Sequence, residues 1–160
     1  MFYQQFFQSF NQKKLSAANE WLHKALAFGN YKALEHICLH SIEMNDFSQA
    51  LAWAKCCANI YLTPGYMLLA YVYHAISASP NLSPKEKKDN ILSAIININL
   101  ATELMPHSKI ALQNTGWNVT NVSLNQLTEE YMNEVPFTAA DKTMVIEEAA
   151  RQLAEINIPA

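Results

Sequence analysis

The stretch from Ala18 to Ser41 constrains the fold more than any other part of the chain. Apolar or small residues recur there at intervals of three and four. Ala18, Trp21, Leu22, Ala25 and Leu26 form one run, and Ala33, Leu34, Ile37, Cys38 and Ser41 form the next. Gly29 can take a positive φ and end the first helix, and Asn30 can cap the second. The pattern predicts helices over about 14–28 and 31–44, joined by a very tight turn, with small residues where they cross.

Composition supports a helical chain. Hydrophobic residues make up 51% of it and glycines number 3, while β-branched residues never alternate with polar ones over a long run. A single domain of 160 residues can bury about 70% of its unfolded surface, so its core needs neither metal nor disulfide. The net charge of -3 provides no footprint for nucleic acid. Charge is nevertheless uneven. Residues 1–120 hold nine Lys/Arg and seven Asp/Glu, whereas residues 121–160 hold two and seven, so an acidic segment succeeds a near-neutral body. Cys38, Cys56 and Cys57 read as small apolar residues of helical stripes in a reducing, cytoplasmic setting. The first residues lack the basic start of a signal peptide, and no window reaches the length of a membrane span, so a membrane location is not expected.

Phe2, Phe6 and Phe10 predict a short amphipathic helix over 1–13 that caps the first hairpin. Asp46-Phe-Ser-Gln49 resembles a capping box and opens a helix to about Leu62, where Pro64-Gly65 is expected to break the chain. The next helix carries Met67, Leu69, Ala70, Tyr73 and Ile76. Ser83-Pro84-Lys85-Glu86 combines a cap, a first-position proline and a returning glutamate, the best helix start in the sequence. The helix it opens is apolar nearly all round, from Ile91 to Leu104, and so should be buried on several sides. Met105-Pro106 ends it, and a weaker helix over about 108–115 stops at Gly116. Gly116 to Val122 reads as a loop. Ser123 and Thr138 are then expected to open a C-terminal acidic helical pair over 121–160.

Sliding the chain on itself by about 32 residues places Trp21 on Trp53 and Ala18 on Ala50. The same shift places Ala33, Ile37, Cys38 and Ser41 on Gly65, Leu69, Ala70 and Tyr73. A shift of 44 places Ala50 on Ala94, and the extra residues fall in the loop before Ser83. Periods of this size with two helices each predict a solenoid of helical hairpins over 14–116. The run Ala18-x-x-Trp21-Leu-x-Lys24-Ala25-Leu-x-x-Gly29-Asn30-x-Lys32-Ala33-Leu-x-x-Ile37-Cys38-x-x-Ser41 resembles a Sel-one-like repeat, a branch of the tetratricopeptide repeat superfamily. Ala94 to Pro106 is similar to the second helix of an ordinary tetratricopeptide unit. Cys38 stands where that family usually has Gly, and Ser41 where it usually has an aromatic residue. The resemblance implies an all-α, right-handed α-α superhelix with a concave wall that binds another protein.

With Cys38 and Ala70 at the hairpin crossings, helical spacing turns Glu35, Leu39 and Ile42 toward that groove, and Met67, Tyr71 and His74 in the next unit. Leu39 and Ile42 would serve equally as core. Catalytic candidates are weak. His36 and His40 have a metal-capable spacing but no third ligand at a telling distance, so no metal is expected. Cys56 and Cys57 beside Lys55 lack a nucleophile elbow, and Glu129-Glu130 and Glu147-Glu148 read as solvated faces. The three glycines are too scattered for a phosphate loop. The sequence thus predicts a non-enzymatic adaptor or scaffold of a bacterial-type cytoplasm, with no cofactor and with a partner polypeptide in its groove. An immunity protein that occludes a toxin is one alternative, and a ligand-sensing regulatory domain is another.

Overall fold

A computed structural model of the protein describes residues 4, 5, 8, 24, 31–108, 112 and 119–158. The expected helices over 1–13, 14–28 and 108–115 lie largely outside these residues, as do Trp21, Gly29 and Gly116. The elements described are all helical: α1 (Tyr31–Glu43), α2 (Phe47–Tyr61), α3 (Thr63–Ser77), α4 (Pro84–Leu104), a 3-10 turn (Met105–His107), α5 (Asn121–Met132) and α6 (Ala139–Glu155). None of the described helices is long and apolar enough to cross a membrane.

α1 buries Ala33, Leu34, Cys38 and Ser41 of the stripe expected of it, leaves Ile37 half-buried, and buries Tyr31 as well. At the start of α2 the Asp46 carboxylate accepts the Gln49 N–H at 3.2 Å. This helix turns Ala50, Ala54, Cys57 and Ala58 inward, and such small side chains let its neighbours approach closely. The break between α2 and α3 lies two residues before Pro64. Leu62 alone takes it, at φ 59, while Pro64 and Gly65 fall in the first turn of α3. Proline is tolerated there because its missing N–H has no partner in a first turn. Gly65 is required by proximity. A Cβ on it would lie 2.0 Å from the backbone nitrogen of Ala58.

α3 has no capping side chain from Leu62, and the far end of the next hairpin helix supplies one instead. The Thr63 N–H donates to Ser108 Oγ at 3.1 Å, and Thr63 Oγ1 donates to the Ala101 carbonyl at 2.7 Å. These contacts place the start of α3 beside the end of α4, so the two helices are antiparallel. α4 opens as its sequence dictates: Ser83 Oγ accepts the Glu86 N–H at 3.1 Å, and Glu86 Oε2 accepts the Ser83 N–H at 2.8 Å. It is buried on several sides, as its all-round apolar pattern requires.

α5 begins earlier than expected. Thr120 is the cap, and Ser123 is the third helical residue that reaches back to it, because either hydroxyl can play either part in such a box. α6 starts at Thr138 with Asp141 reciprocating, as expected. Both C-terminal helices pack more extensively on α4 than on each other. Lys88 and Asp141, near the starts of α4 and α6, pair at 2.7 Å. Asn97 and Gln152 line the same cavity further along, so these two helices run in the same direction.

Two apolar clusters result. One joins α1, α2 and α3 through Leu34, Cys38, Ala54, Cys57 and Val72. The other joins α3 to α6 through Ile91, Ile95, Leu124, Tyr131 and Val145. Tyr66 and Tyr73 of α3 pack against both.

Candidate functional site

A cleft lies between α2 and α4, with α3 as its floor and the end of α6 as its far wall. It consists of a cavity of 240 Å³ and a neighbouring one of 740 Å³ that share Ala58, Asn59, Tyr66 and Gln152. Tyr66, Leu69 and Tyr73 line it from α3 because they stand three and four apart on one helical face. Lys55 and Asn59 stand four apart on α2, and Ser93 and Asn97 four apart on α4, so each wall presents two polar groups one turn apart.

These polar groups are largely unengaged. Asn97 is 7% exposed, and its Nδ2 donates to the Ser93 carbonyl at 2.8 Å. Its Oδ1 accepts nothing among the described residues, nor does Oε1 of Gln152, whose Nε2 donates to Glu148 Oε1 at 3.0 Å. The hydroxyls of Tyr66 and Tyr73 make no hydrogen bond among the described residues, and burial raises the Tyr66 pKa. Lys55 is exposed and pairs with no carboxylate among the described residues. Arg151, at the wider end, is engaged by Glu148 and Glu155.

The residues singled out from sequence lie elsewhere. None of the six lines either cavity. Glu35 is half-buried and sits 3.6 Å from Lys32 Nζ; burial raises its pKa and Lys32 opposes the shift. Leu39 is half-buried, and Ile42 packs against the α1–α3 cluster. Met67 packs against the cluster around α4. Tyr71 is 50% exposed. His74 is covered by α5: its Nε2 lies 2.8 Å from Glu134 Oε1, and its ring stacks on Tyr131 with centroids 4.2 Å apart. On α3 these three occupy a different face from Tyr66, Leu69 and Tyr73. Sequence reasoning missed Asn97, although an amide inside Ile95-Ile96-Asn97-Ile98 was the available signal.

The remaining chemical candidates are quiet. Cys38, Cys56 and Cys57 are free thiols. Burial, followed by Glu35, pushes Cys38 up to about 12, and burial likewise raises Cys57, so neither is a ready thiolate. Burial lowers the His36 pKa, and His40 adds to that. No cluster of three or more His, Cys, Asp or Glu among the described residues could hold a metal ion.

The described helices define the class: an all-α protein. The chain belongs to a family of unknown function, DUF5630, which matches residues 1–116. No curated protein and no solved structure matches it. The family match ends before α5, so α2, α3 and α4 supply three sides of the cleft from within it and α6 supplies the fourth from beyond it.

Proposed function

We infer that this protein is a non-enzymatic interaction module that holds part of a partner polypeptide in the cleft between α2 and α4, as an adaptor or scaffold in the cytoplasm. One observation carries the reading: the cleft is elongated. From Leu62, the cap of α3, to Tyr73 its floor advances eleven residue steps, a length of about 16 Å. A compact metabolite would leave most of that length empty. The arrangement as a right-handed superhelix of hairpins belongs to the same proposal. It is supported by α1 to α4 each packing on the next in chain order, and by α1 also touching α3, as second helices of neighbouring hairpins would.

The test is capture of partners from native cells with the wild-type chain and with Lys55→Glu/Asn59→Arg, both exposed positions on the cleft wall. A stoichiometric protein held by the wild type and lost by the variant, at unchanged melting temperature, supports the reading. Equal capture by both overturns it. A ligand-sensing role is the second reading, favoured by α6 lining both cavities. A metabolite that raises the melting temperature of the wild type but not of the variant would support that role instead.

A further inference from the structure

Few side chains hold α5 to the rest of the molecule. Of its twelve residues only Leu124 and Tyr131 are buried, and seven are exposed, so its attachment is a single narrow stripe. Leu124, Leu127 and Tyr131 stand three and four apart, and Glu134, just past the helix end, continues the stripe by three more. The three apolar residues join the cluster around α4, with Leu127 half-buried there. The stripe also reaches α3. Tyr131 stacks on the His74 ring with centroids 4.2 Å apart, and Glu134 Oε1 lies 2.8 Å from His74 Nε2. Because α5 and α6 each pack more extensively on α4 than on each other, α5 can leave without α6. α6 keeps its own anchors, Val145, Ala149 and the Lys88–Asp141 pair. The covered surface of α3 and α4 lies within the family match, and its cover lies beyond it. Uncovered, that surface is apolar with one polar mark, His74.

We propose that the surface beneath α5 is a docking site for an amphipathic helix of a partner protein, and that α5 is a strap which fills the site until the partner displaces it. The partner helix repeats the stripe that fits there now: apolar, apolar, aromatic and acidic, at intervals of three, four and three. The apolar residues cover α4, and the acidic one pairs with His74. The site uses a different face of α3 from Tyr66, Leu69 and Tyr73, so it goes beyond the cleft reading and is tested apart from it. A tethered strap competes with any incoming helix, and the apparent affinity for that helix scales with the fraction of molecules whose strap is open. Loosening the strap therefore tightens partner binding, which a helix with a structural role alone does not do.

The experiment uses the full chain and a fluorescein-labelled peptide of residues 119–136, which carries the stripe and the Thr120 cap. Binding is read by anisotropy. Leu127→Ala in the chain should bind the peptide at least about tenfold more tightly than the wild type, the scale of truncating one half-buried leucine. Glu134→Gln in the chain, an exposed position that leaves folding intact, should act in the same direction by less. On Leu127→Ala the peptide carrying Glu134→Gln should bind more weakly than the unaltered peptide, and adding His74→Ala to the chain should erase that difference. Hydrogen exchange of the wild type should show α5 amides opening at least about tenfold more often than those of α4. Equal peptide affinity in the wild type, Leu127→Ala and Glu134→Gln would overturn the proposal, as would no binding to any of them. Exchange of α5 no faster than that of α4 would overturn it as well. A dimer of the wild type that forms without peptide and is lost in Leu127→Ala would assign the site to the α5 of a second copy and overturn the partner helix.

Discussion

A single methyl group added at Gly65 tests the close approach of α2 and α3. Helix propensity predicts that Gly65→Ala should stabilise α3 by about 1 kcal/mol, since alanine is the better helix former and Gly65 has no positive φ to preserve. Geometry predicts the opposite. The new Cβ would fall 2.0 Å from the Ala58 nitrogen, 2.1 Å from the Ala58 Cα and 2.4 Å from the Cys57 carbonyl carbon. These are backbone atoms of α2, so no rotamer change relieves the clash and the two helices must separate. Overpacking costs about 1–3 kcal/mol, and a backbone collision belongs at the upper end. The net loss is about 2 kcal/mol, which lowers the melting temperature by about 4–8 °C in a chain of this size. Thermal unfolding followed by circular dichroism reads it directly. Adding Ala58→Gly should not rescue the variant, because the atoms in the way belong to the backbone. A melting temperature equal to or above that of the wild type would refute the close approach of α2 and α3, and with it the shape of the cleft they wall.

Ser83→Ala removes one half of the box that opens α4 and should cost about 1 kcal/mol, seen as a fall in melting temperature of about 2–4 °C. The Arg151 guanidinium, followed by Gln152, holds the Glu148 pKa down to about 2 from its ordinary 4.5. A depressed acid contributes stability above its unfolded pKa and loses it as pH falls through its folded one. The melting temperature should therefore decline from about pH 4.5 to about pH 2, and Arg151→Gln should shrink that decline, as pH-dependent melting would record. Thiol titration of the native protein at neutral pH should modify half-buried Cys56 before buried Cys38 or Cys57, and peptide mapping of the labelled protein identifies which reacted.

What the sequence disclosed was local, and what it withheld depended on assembly. The boundaries of α1, α4 and α6 arise from stripes and caps that a single segment contains, such as Ser83 with Glu86 or Thr138 with Asp141. Leu62 at φ 59 could not be foreseen, because a buried leucine in that conformation is held by its surroundings and by no property of its own. The groove candidates on α3 came from the assumption that Ala70 marks the helix crossing. Ala70 instead joins the cluster around α4, while Gly65 makes the close contact with α2. Shifting the crossing by five residues turns the helix by more than a quarter turn, enough to move the cleft from Met67, Tyr71 and His74 to Tyr66, Leu69 and Tyr73. The partial covering of His74 depended on Tyr131 of α5 and on Glu134 just beyond that helix, which lie some sixty residues away in the chain.

The cleft persists because α3 is asymmetric. Its small crossing residue, Gly65, draws α2 close at one end, where no other residue would fit. Beyond it Tyr66 and Tyr73 touch both apolar clusters, so their rings stand where α2 and α4 would otherwise meet. Leucine at those two positions would satisfy the apolar contacts equally well and would leave no hydroxyl facing the cavity. Tyrosine does both, burying a ring while presenting a polar tip. The same logic applies to Asn97, which interrupts a run of isoleucines at the one stretch of α4 that faces the opening. A helix selected only for burial would carry another aliphatic residue there. The polar residues of α3 and α4 therefore converge on one space, and that convergence, rather than the volume of the space, makes it the candidate site.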